Sequence, residues 1–261
     1  MPAERLADQW EGVPVEHWRA AWAVPALYIF QCTPSTNDVV RQAGLAGAPA
    51  GTTAIAELQS GGRGRLGRPW TAPSGKALLL STLLRPDSAG MPAAAGALPV
   101  RVGLALARAL QQAAGISPRL KWPNDVLVGD GKLAGILCEA RSDFVVVGIG
   151  INVWQQVADF PPELRESATS LRLATASVPA RAQLAERVLA ELQPLFTAPH
   201  RPLADPELAR FASLDALAGR QVAIDGQPAG TAAGIDRQGA LLVRTRDGLR
   251  TCHAGTVRAV P

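Results

Sequence analysis

Between Gln59 and Trp70 the chain reads Gln-Ser-Gly-Gly-Arg-Gly-Arg-Leu-Gly-Arg-Pro-Trp, and the residues around this run restrict the fold more than any other feature. Gly62-Arg-Gly64-Arg-Leu-Gly67 matches the G-x-G-x-x-G pattern of a dinucleotide-binding turn, and a strand-like run over residues 52–58 precedes it. That fold also needs a helix to begin at the glycines. Here Pro69 and Pro73 follow, then Ser74-Gly75 and an apolar run over 77–84. Prolines so close together prevent a regular helix from continuing, and a Rossmann fold is excluded. Gly75-Lys76-Ala77 is no P-loop either, since no Ser or Thr follows the lysine and no glycine stands five residues before Gly75. What remains is a loop. Its glycines free the backbone for close approach to a ligand, and Arg63, Arg65 and Arg68 offer forks of N–H donors suited to carboxylates and phosphates. A solvated basic surface loop is the alternative reading. Glycines and like-charged arginines have little to hold them, so the loop is expected to order on ligand binding.

With 261 residues, 48% apolar and 18% charged, the chain can bury a substantial core as one large domain or one plus a small appendage. Its first residues, Met-Pro-Ala-Glu-Arg, lack the apolar core of a signal peptide, and the longest strongly apolar stretch, 144–153, is too short to span a bilayer. Cys32, Cys138 and Cys252 are far apart and odd in number, which points to free thiols in a reducing cytoplasm. His17, His200 and His253 are scattered, so neither a zinc site nor a His-based triad is expected. A net charge of +4 is too modest to argue nucleic-acid binding. Of 26 basic residues only three are lysines, Lys76, Lys121 and Lys132, all between the Gly/Arg loop and residue 132. In a chain that otherwise uses Arg, a retained lysine suggests a need for a compact ammonium, and at least one of the three is expected to touch substrate.

Along the chain, Trp10, Trp18 and Trp22 suggest a packed N-terminal arm, and 28–30 a strand. Ser35-Thr36-Asn37-Asp38 reads as a capped helix start, with Gly44 or Gly47 ending the helix. Residues 100–114 form a helix closed by Gly115, its polar residues Arg101, Arg108, Gln111 and Gln112 on one stripe. Runs over 125–128 and 133–139, bent at Gly129-Asp130-Gly131, read as a hairpin, and 144–153 as a central strand apolar on both faces. Leu184, Val188, Leu192 and Leu195 mark an amphipathic helix, and Asp205-Pro206-Glu207 begins another. After residue 217, five short strand-like runs separated by Gly-containing turns predict a small antiparallel barrel.

Lys121-Trp122-Pro123-Asn124-Asp125 directly precedes the hairpin, and Pro123 restricts the backbone around Lys121. It is either a surface turn or an anion contact; the Gly/Arg loop and the scarcity of lysine favour the contact. Lys132 reads equally as a hairpin-edge lysine or a site residue. Gly148 and Gly150 weaken a buried strand unless something approaches its backbone, whether a flat ligand, a bulge or a tight helix crossing. Ser35-Thr36-Asn37 offers donors and acceptors for an amide or ureido group, or simply a cap. No nucleophile has a base beside it. Attack of a substrate carboxylate on an ATP phosphate, which needs positioning and charge neutralisation, fits the basic groups best.

Residues 59–70, 121–125, 131–139 and 148–152 together resemble biotin protein ligases in order and spacing. Ser35-Thr36-Asn37 and residues 234–241 agree, so the resemblance covers roughly 28–261. It implies that Ser35, Thr36, Asn37 and Gln59 hold the ureido ring of biotin, with Arg63, Gly64, Arg65, Lys121, Gly135, Gly148 and Gly150 completing the biotin site. It further implies that Arg63, Arg65, Arg68, Trp70, Asn124, Lys132 and Asn152 serve the nucleotide, that Lys121 and Arg65 are catalytic, and that Asn124 and Asp125 are candidates for Mg²⁺ or the incoming amine. The Ala-Thr-Ser-Leu element at 168–171 is expected on the nucleotide side. Lys76 has no motif role.

The implied fold is α/β with a mixed, largely antiparallel sheet, similar to class II aminoacyl-tRNA synthetases, over residues 1–216 with an N-terminal arm at 1–27. An SH3-like barrel follows over 217–261. The implied activity is a ligase using ATP with Mg²⁺ and biotin as substrates, without a permanent cofactor or protein-held metal. It would modify a lysine of a biotin carboxyl carrier protein of acetyl-CoA carboxylase or a related carboxylase. Fewer than 30 residues precede Tyr28, too few for the winged helix-turn-helix of regulatory members, so repression is not expected. The competing readings are a lipoate or octanoate ligase or transferase of the same fold, disfavoured by the ureido-type triplet, and a non-catalytic nucleotide- or DNA-binding regulator.

Overall fold

The computed structural model describes residues 5–86, 96–198 and 201–260; the first four residues of the arm and His200 lie outside them. The arm contributes β1 (Arg5–Leu6), β2 (Gln9–Trp10), β3 (Val13–Pro14) and α1 (Val15–Ala21). Then come β4 (Leu27–Cys32), α2 (Thr36–Leu45), β5 (Thr53–Ala56), β6 (Ala77–Leu84) and α3 (Ala97–Ala114). The chain continues through β7 (Arg119–Lys121), β8 (Asp125–Val128), β9 (Gly131–Ala140) and β10 (Val145–Asn152). After α4 (Leu171–Ala174), α5 (Arg181–Leu192) and α6 (Asp205–Leu214) it ends in β11 (Gln221–Ile224), β12 (Gln227–Ile235), β13 (Leu241–Thr245), β14 (Gly248–Cys252) and β15 (Val257–Ala259).

Eight strands form one sheet in the order β1-β4-β5-β6-β10-β9-β8-β7, antiparallel except at β4/β5. β10 is flanked by β6 and β9, which explains a run apolar on both faces. Its odd positions Val145, Val147, Ile149 and Ile151 join the main core, against which α3 and α5 pack. Its even positions face α2: Val146 packs with Val40, Leu83 and Phe144, and beyond it Gly148, Gly150 and Asn152 run into the site. The last five strands form a second sheet, β14-β13-β12-β11-β15. Trp122 Nε1, buried, donates to Gly239 O (2.8 Å), and Ala216 N to Leu120 O (2.9 Å), so the segment after β7 is tied to the C-terminal sheet.

Two local expectations change. Ser35 takes the N-cap position of α2 but its side chain makes no capping bond; the residue lines the cavity described below. Arg101 does not share a solvent-facing stripe: it is buried, paired with Glu207 at 2.6 Å and donating to the carbonyls of Arg201 and Pro202. The arm is fixed by its aromatics. Trp10 Nε1 donates to Glu57, and Arg181, lying over the Trp10 ring at 5.3 Å, pairs with Glu57 and Glu11. Among the described residues all three cysteines are free, and no helix is long and apolar enough to cross a membrane.

Candidate active site

A cavity of about 790 Å³ opens on the α2 side of the sheet, between the Gly/Arg loop, the 121–125 segment, β9, β10 and the C-terminal sheet. Of the residues singled out by sequence, Ser35, Thr36, Asn37, Gln59, Arg63, Gly64, Arg65, Arg68, Trp70, Lys121, Asn124, Asp125, Lys132, Gly135, Gly148, Gly150 and Asn152 all line it. Lys76 does not; it pairs with Asp159 at 2.7 Å.

At the α2 end, polar side chains form one continuous network. Gln59 Oε1 accepts from Thr36 N (2.7 Å) and from the Thr36 hydroxyl (3.0 Å). Thr36 Oγ1 meets Ser81 Oγ at 2.7 Å, Ser81 Oγ donates to Asn37 Oδ1 at 2.6 Å, and Asn37 Nδ2 donates to Glu139 Oε2 at 2.6 Å. Ser81 and Glu139 escaped the sequence reading. The signal for Ser81 was a Ser-Thr pair inside an otherwise apolar run over 77–84; Glu139 carried none. Cross-strand register explains why they meet: Gly148 lies opposite Ser81, and Val146 opposite Glu139, so all four share one face.

The two strand glycines make room for neighbouring side chains. A Cβ on Gly148 would stand 2.9 Å from Asn37 Cγ and 3.1 Å from its Nδ2, and closer still to Oδ1. One on Gly150 would stand 2.7 Å from Trp70 Cζ2 and Nε1. The Asn37 amide and the Trp70 indole lie against these glycines, which also line the cavity. Gly135, opposite Gly150, makes room for the same indole.

The loop arginines also have partners. Arg63 grips Asp38 through both terminal nitrogens, at 2.9 and 2.7 Å, while Arg41 pairs with the same carboxylate at 2.6 Å. Its hydrogen bonds to Arg63, with the nearby guanidinium charges, hold the Asp38 carboxyl below its ordinary range although burial opposes them. Arg68 reaches Thr256 of the C-terminal sheet at 3.1 Å. Gly62 O accepts from Trp70 N (2.9 Å) and Arg68 O from Gly64 N (2.7 Å), closing the loop around a short 3₁₀ turn, Arg65–Gly67. Arg65 points inward, 3.5 Å from Asn124 Oδ1, and burial pushes its guanidinium below its ordinary value.

At the opposite end the cavity is cationic. Burial pushes the Lys121 ammonium below the ordinary lysine range; Lys132, Arg258 and Arg220 push it the same way, against the pull of Asp125. Lys132 pairs with Asp125 at 2.6 Å and lies over the Trp70 ring at 5.5 Å. Arg220 and Arg258, from the start of the C-terminal region and β15, were not foreseen; five short strands gave no hint of which side chains would face the cavity. Asn124 Nδ2 is engaged by Ile136 O (2.9 Å), and Asn152 Nδ2 by Thr169 O (2.9 Å), so Asn152 pins the 168–171 element against β10. Such a wall of cations repels itself and is relieved by a bound polyanion. Among the described residues no group of three or more His, Cys, Asp or Glu could hold a metal ion.

Two family models match the chain: the biotin/lipoate A/B protein ligase family over residues 29–153 and the biotin protein ligase C-terminal domain over 219–258. The bifunctional ligase/repressor BirA of Bacillus subtilis is 32% identical over 231 residues, covering 85% of this chain and 70% of that protein. The biotin–[acetyl-CoA-carboxylase] ligase of Mycobacterium tuberculosis is 40% identical over 165 residues, 62% of this chain and 60% of that one. Among solved structures, a biotin protein ligase from Aquifex aeolicus in complex with biotin and ATP superposes with a TM-score of 0.78 at 28% identity, over 90% of this chain and all of that one.

Proposed function

The chain belongs to the biotin/lipoate A/B protein ligase family, and from that premise we propose that it is an ATP-dependent biotin protein ligase. The observation that carries the proposal is the joining, in one cavity, of the hydroxyl and amide network at Thr36, Asn37 and Gln59 with the cationic wall around Lys121. In the first step the biotin carboxylate oxygen attacks the α-phosphorus of ATP, and the bond to the β-phosphate oxygen breaks to release pyrophosphate. In the second, the ε-amine of a carrier lysine attacks the acyl carbon, AMP leaves, and an amide forms. Lys121 and Arg65 neutralise charge at the carboxylate and α-phosphate, which supplies most of what such a reaction needs from a protein. The loop over 60–69 covers a mixed anhydride that water would destroy.

Magnesium enters with the nucleotide as part of the substrate. Asp125 is already paired with Lys132, so the phosphates of ATP are the better ligands for the ion. The acceptor is a biotin carboxyl carrier domain of an acetyl-CoA carboxylase or related enzyme, and the setting is cytoplasmic, as free thiols suggest. A lipoate or octanoate ligase would need a long apolar slot where this cavity has buried hydroxyls and amides. Titration calorimetry with biotin, lipoate and octanoate tests the choice: saturable heat with biotin alone is expected, and saturable heat with octanoate or lipoate but not biotin would overturn it.

A further inference from the structure

We propose that Lys76, which does not line the cavity, is a positioning residue: its ion pair with Asp159 holds residues 156–166 in place as one wall of the nucleotide end. The inference rests on the ATP reading above. Residues 156–166 follow β10 and return to the sheet at Lys132, where Lys132 N donates to Ser167 O at 2.8 Å and Thr169 N to Lys132 O at 3.0 Å. Phe160, Pro161 and Leu164 of this segment line the cavity, as Lys132 does.

The segment has little else to hold it. It is anchored just before its start, where Ser170 Oγ donates to Gln155 O at 2.6 Å, and just after its end at Ser167. Between these anchors, among the described residues, every other hydrogen bond of 156–166 stays within 156–168. The Lys76 ammonium is the exception, 2.7 Å from both carboxylate oxygens of Asp159. A point charge that meets both oxygens at once is what a lysine supplies. Asp159 Oδ2 also accepts from Gln156 N at 2.8 Å, so the same carboxylate closes the turn that leads into Phe160. Phe160 is buried while lining the cavity, and a shift of that turn moves its ring. Lys76 O accepts from Val153 N (3.2 Å) and Trp154 N (2.7 Å) as well; these bonds survive a change of side chain, so a variant isolates the ammonium. The network at Thr36, Asn37 and Gln59 shares no hydrogen bond with this segment among the described residues. A loosened wall should therefore weaken ATP and leave biotin alone.

The test measures the KM for ATP in biotin-dependent pyrophosphate exchange and, separately, biotin affinity by calorimetry without nucleotide. Lys76→Met, which keeps the stem and removes the charge, should raise the KM for ATP about three- to fivefold, the worth of a partly exposed ion pair. Its biotin affinity should stay at the parent value. Asp159→Asn, which keeps an oxygen for Gln156 N, should do the same and carries the test if Lys76→Met does not fold. The double variant should cost no more than either single one, because both remove one interaction. Raising the salt to about 0.5 M should shrink the ratio of variant to parent KM, since the pair is then screened. A folded Lys76→Met with the parent KM for ATP, an equal loss of biotin affinity, or costs that multiply in the double variant overturns the proposal. A parent without biotin-dependent exchange overturns the underlying reading instead.

Discussion

Replacing Gly148 with Ala separates two reasons for a glycine in the middle of a buried strand. If the position only lets a ligand approach the backbone, the ligand-free protein should tolerate a methyl group. The geometry says otherwise, because the new Cβ falls 2.9 Å from Asn37 Cγ and 3.1 Å from Nδ2. Asn37 sits in the first turn of α2 and cannot retreat without breaking its bond from Ser81 and its bond to Glu139. A neutral hydrogen bond contributes about 0.5–1.5 kcal/mol and one to a charged group about 1.5–3, so the expected loss is roughly 2–4.5 kcal/mol. Urea unfolding of the ligand-free protein reads this as a lower midpoint at unchanged slope. The cycle with Asn37→Ala is the sharper test: once Asn37 is truncated the methyl group has space, so Gly148→Ala should then cost little, a strong departure from additivity. Unchanged stability of the single variant, or additive costs in the double, would refute the assignment of this glycine to Asn37.

Lys121→Ala should reduce adenylate formation far more than biotin affinity, because the ammonium serves charge developing at the α-phosphate. Since burial and neighbouring cations lower the Lys121 pKa, its charge is complete at low pH and lost as pH rises through that lowered value. The kcat/KM for ATP should therefore fall on the alkaline side earlier than for an ordinary lysine, and Lys121→Arg should lose that limb. Arg65→Gly should let the activated intermediate escape. Losing one charge-assisted contact costs about 1.5–3 kcal/mol, or roughly one to two decades in residence time, read as faster labelling of an unrelated lysine-rich protein. Asp38→Asn removes the carboxylate that grips Arg63 and should raise tryptic cleavage within residues 60–69 by up to about fivefold, the worth of a partly exposed ion pair; an unchanged rate would dissociate Asp38 from loop order.

Much of the frame was legible because local chemistry and fold agreed. The run over 144–153 is apolar on both faces because β10 is covered on both, and Gly129-Asp130-Gly131 bends β8 into β9 as such turns do. Gly115, left-handed at φ 63°, ends α3 where a helix of that composition should end. What stayed hidden depended on residues distant in sequence. Arg101 looks like any polar residue of an amphipathic helix until Glu207 and two carbonyls are brought to it. Lys76, one of three rare lysines and the one without a motif role, is taken by Asp159. The strand glycines announced that something lies close, and only cross-strand register reveals that it is Asn37 and Trp70. The arginines of the loop suggested free anion-binding groups, whereas Asp38 occupies one of them.

The central claim is that this cavity activates biotin on ATP. Incubating the protein with biotin, ATP and Mg²⁺ in the absence of any carrier, and following biotin-dependent exchange of labelled pyrophosphate into ATP, tests it directly. Exchange that depends on biotin, that octanoate and lipoate do not support, and that Lys121→Ala abolishes while the variant still binds biotin is the predicted result. Binding of biotin and ATP without exchange, or exchange supported by octanoate in place of biotin, would contradict it.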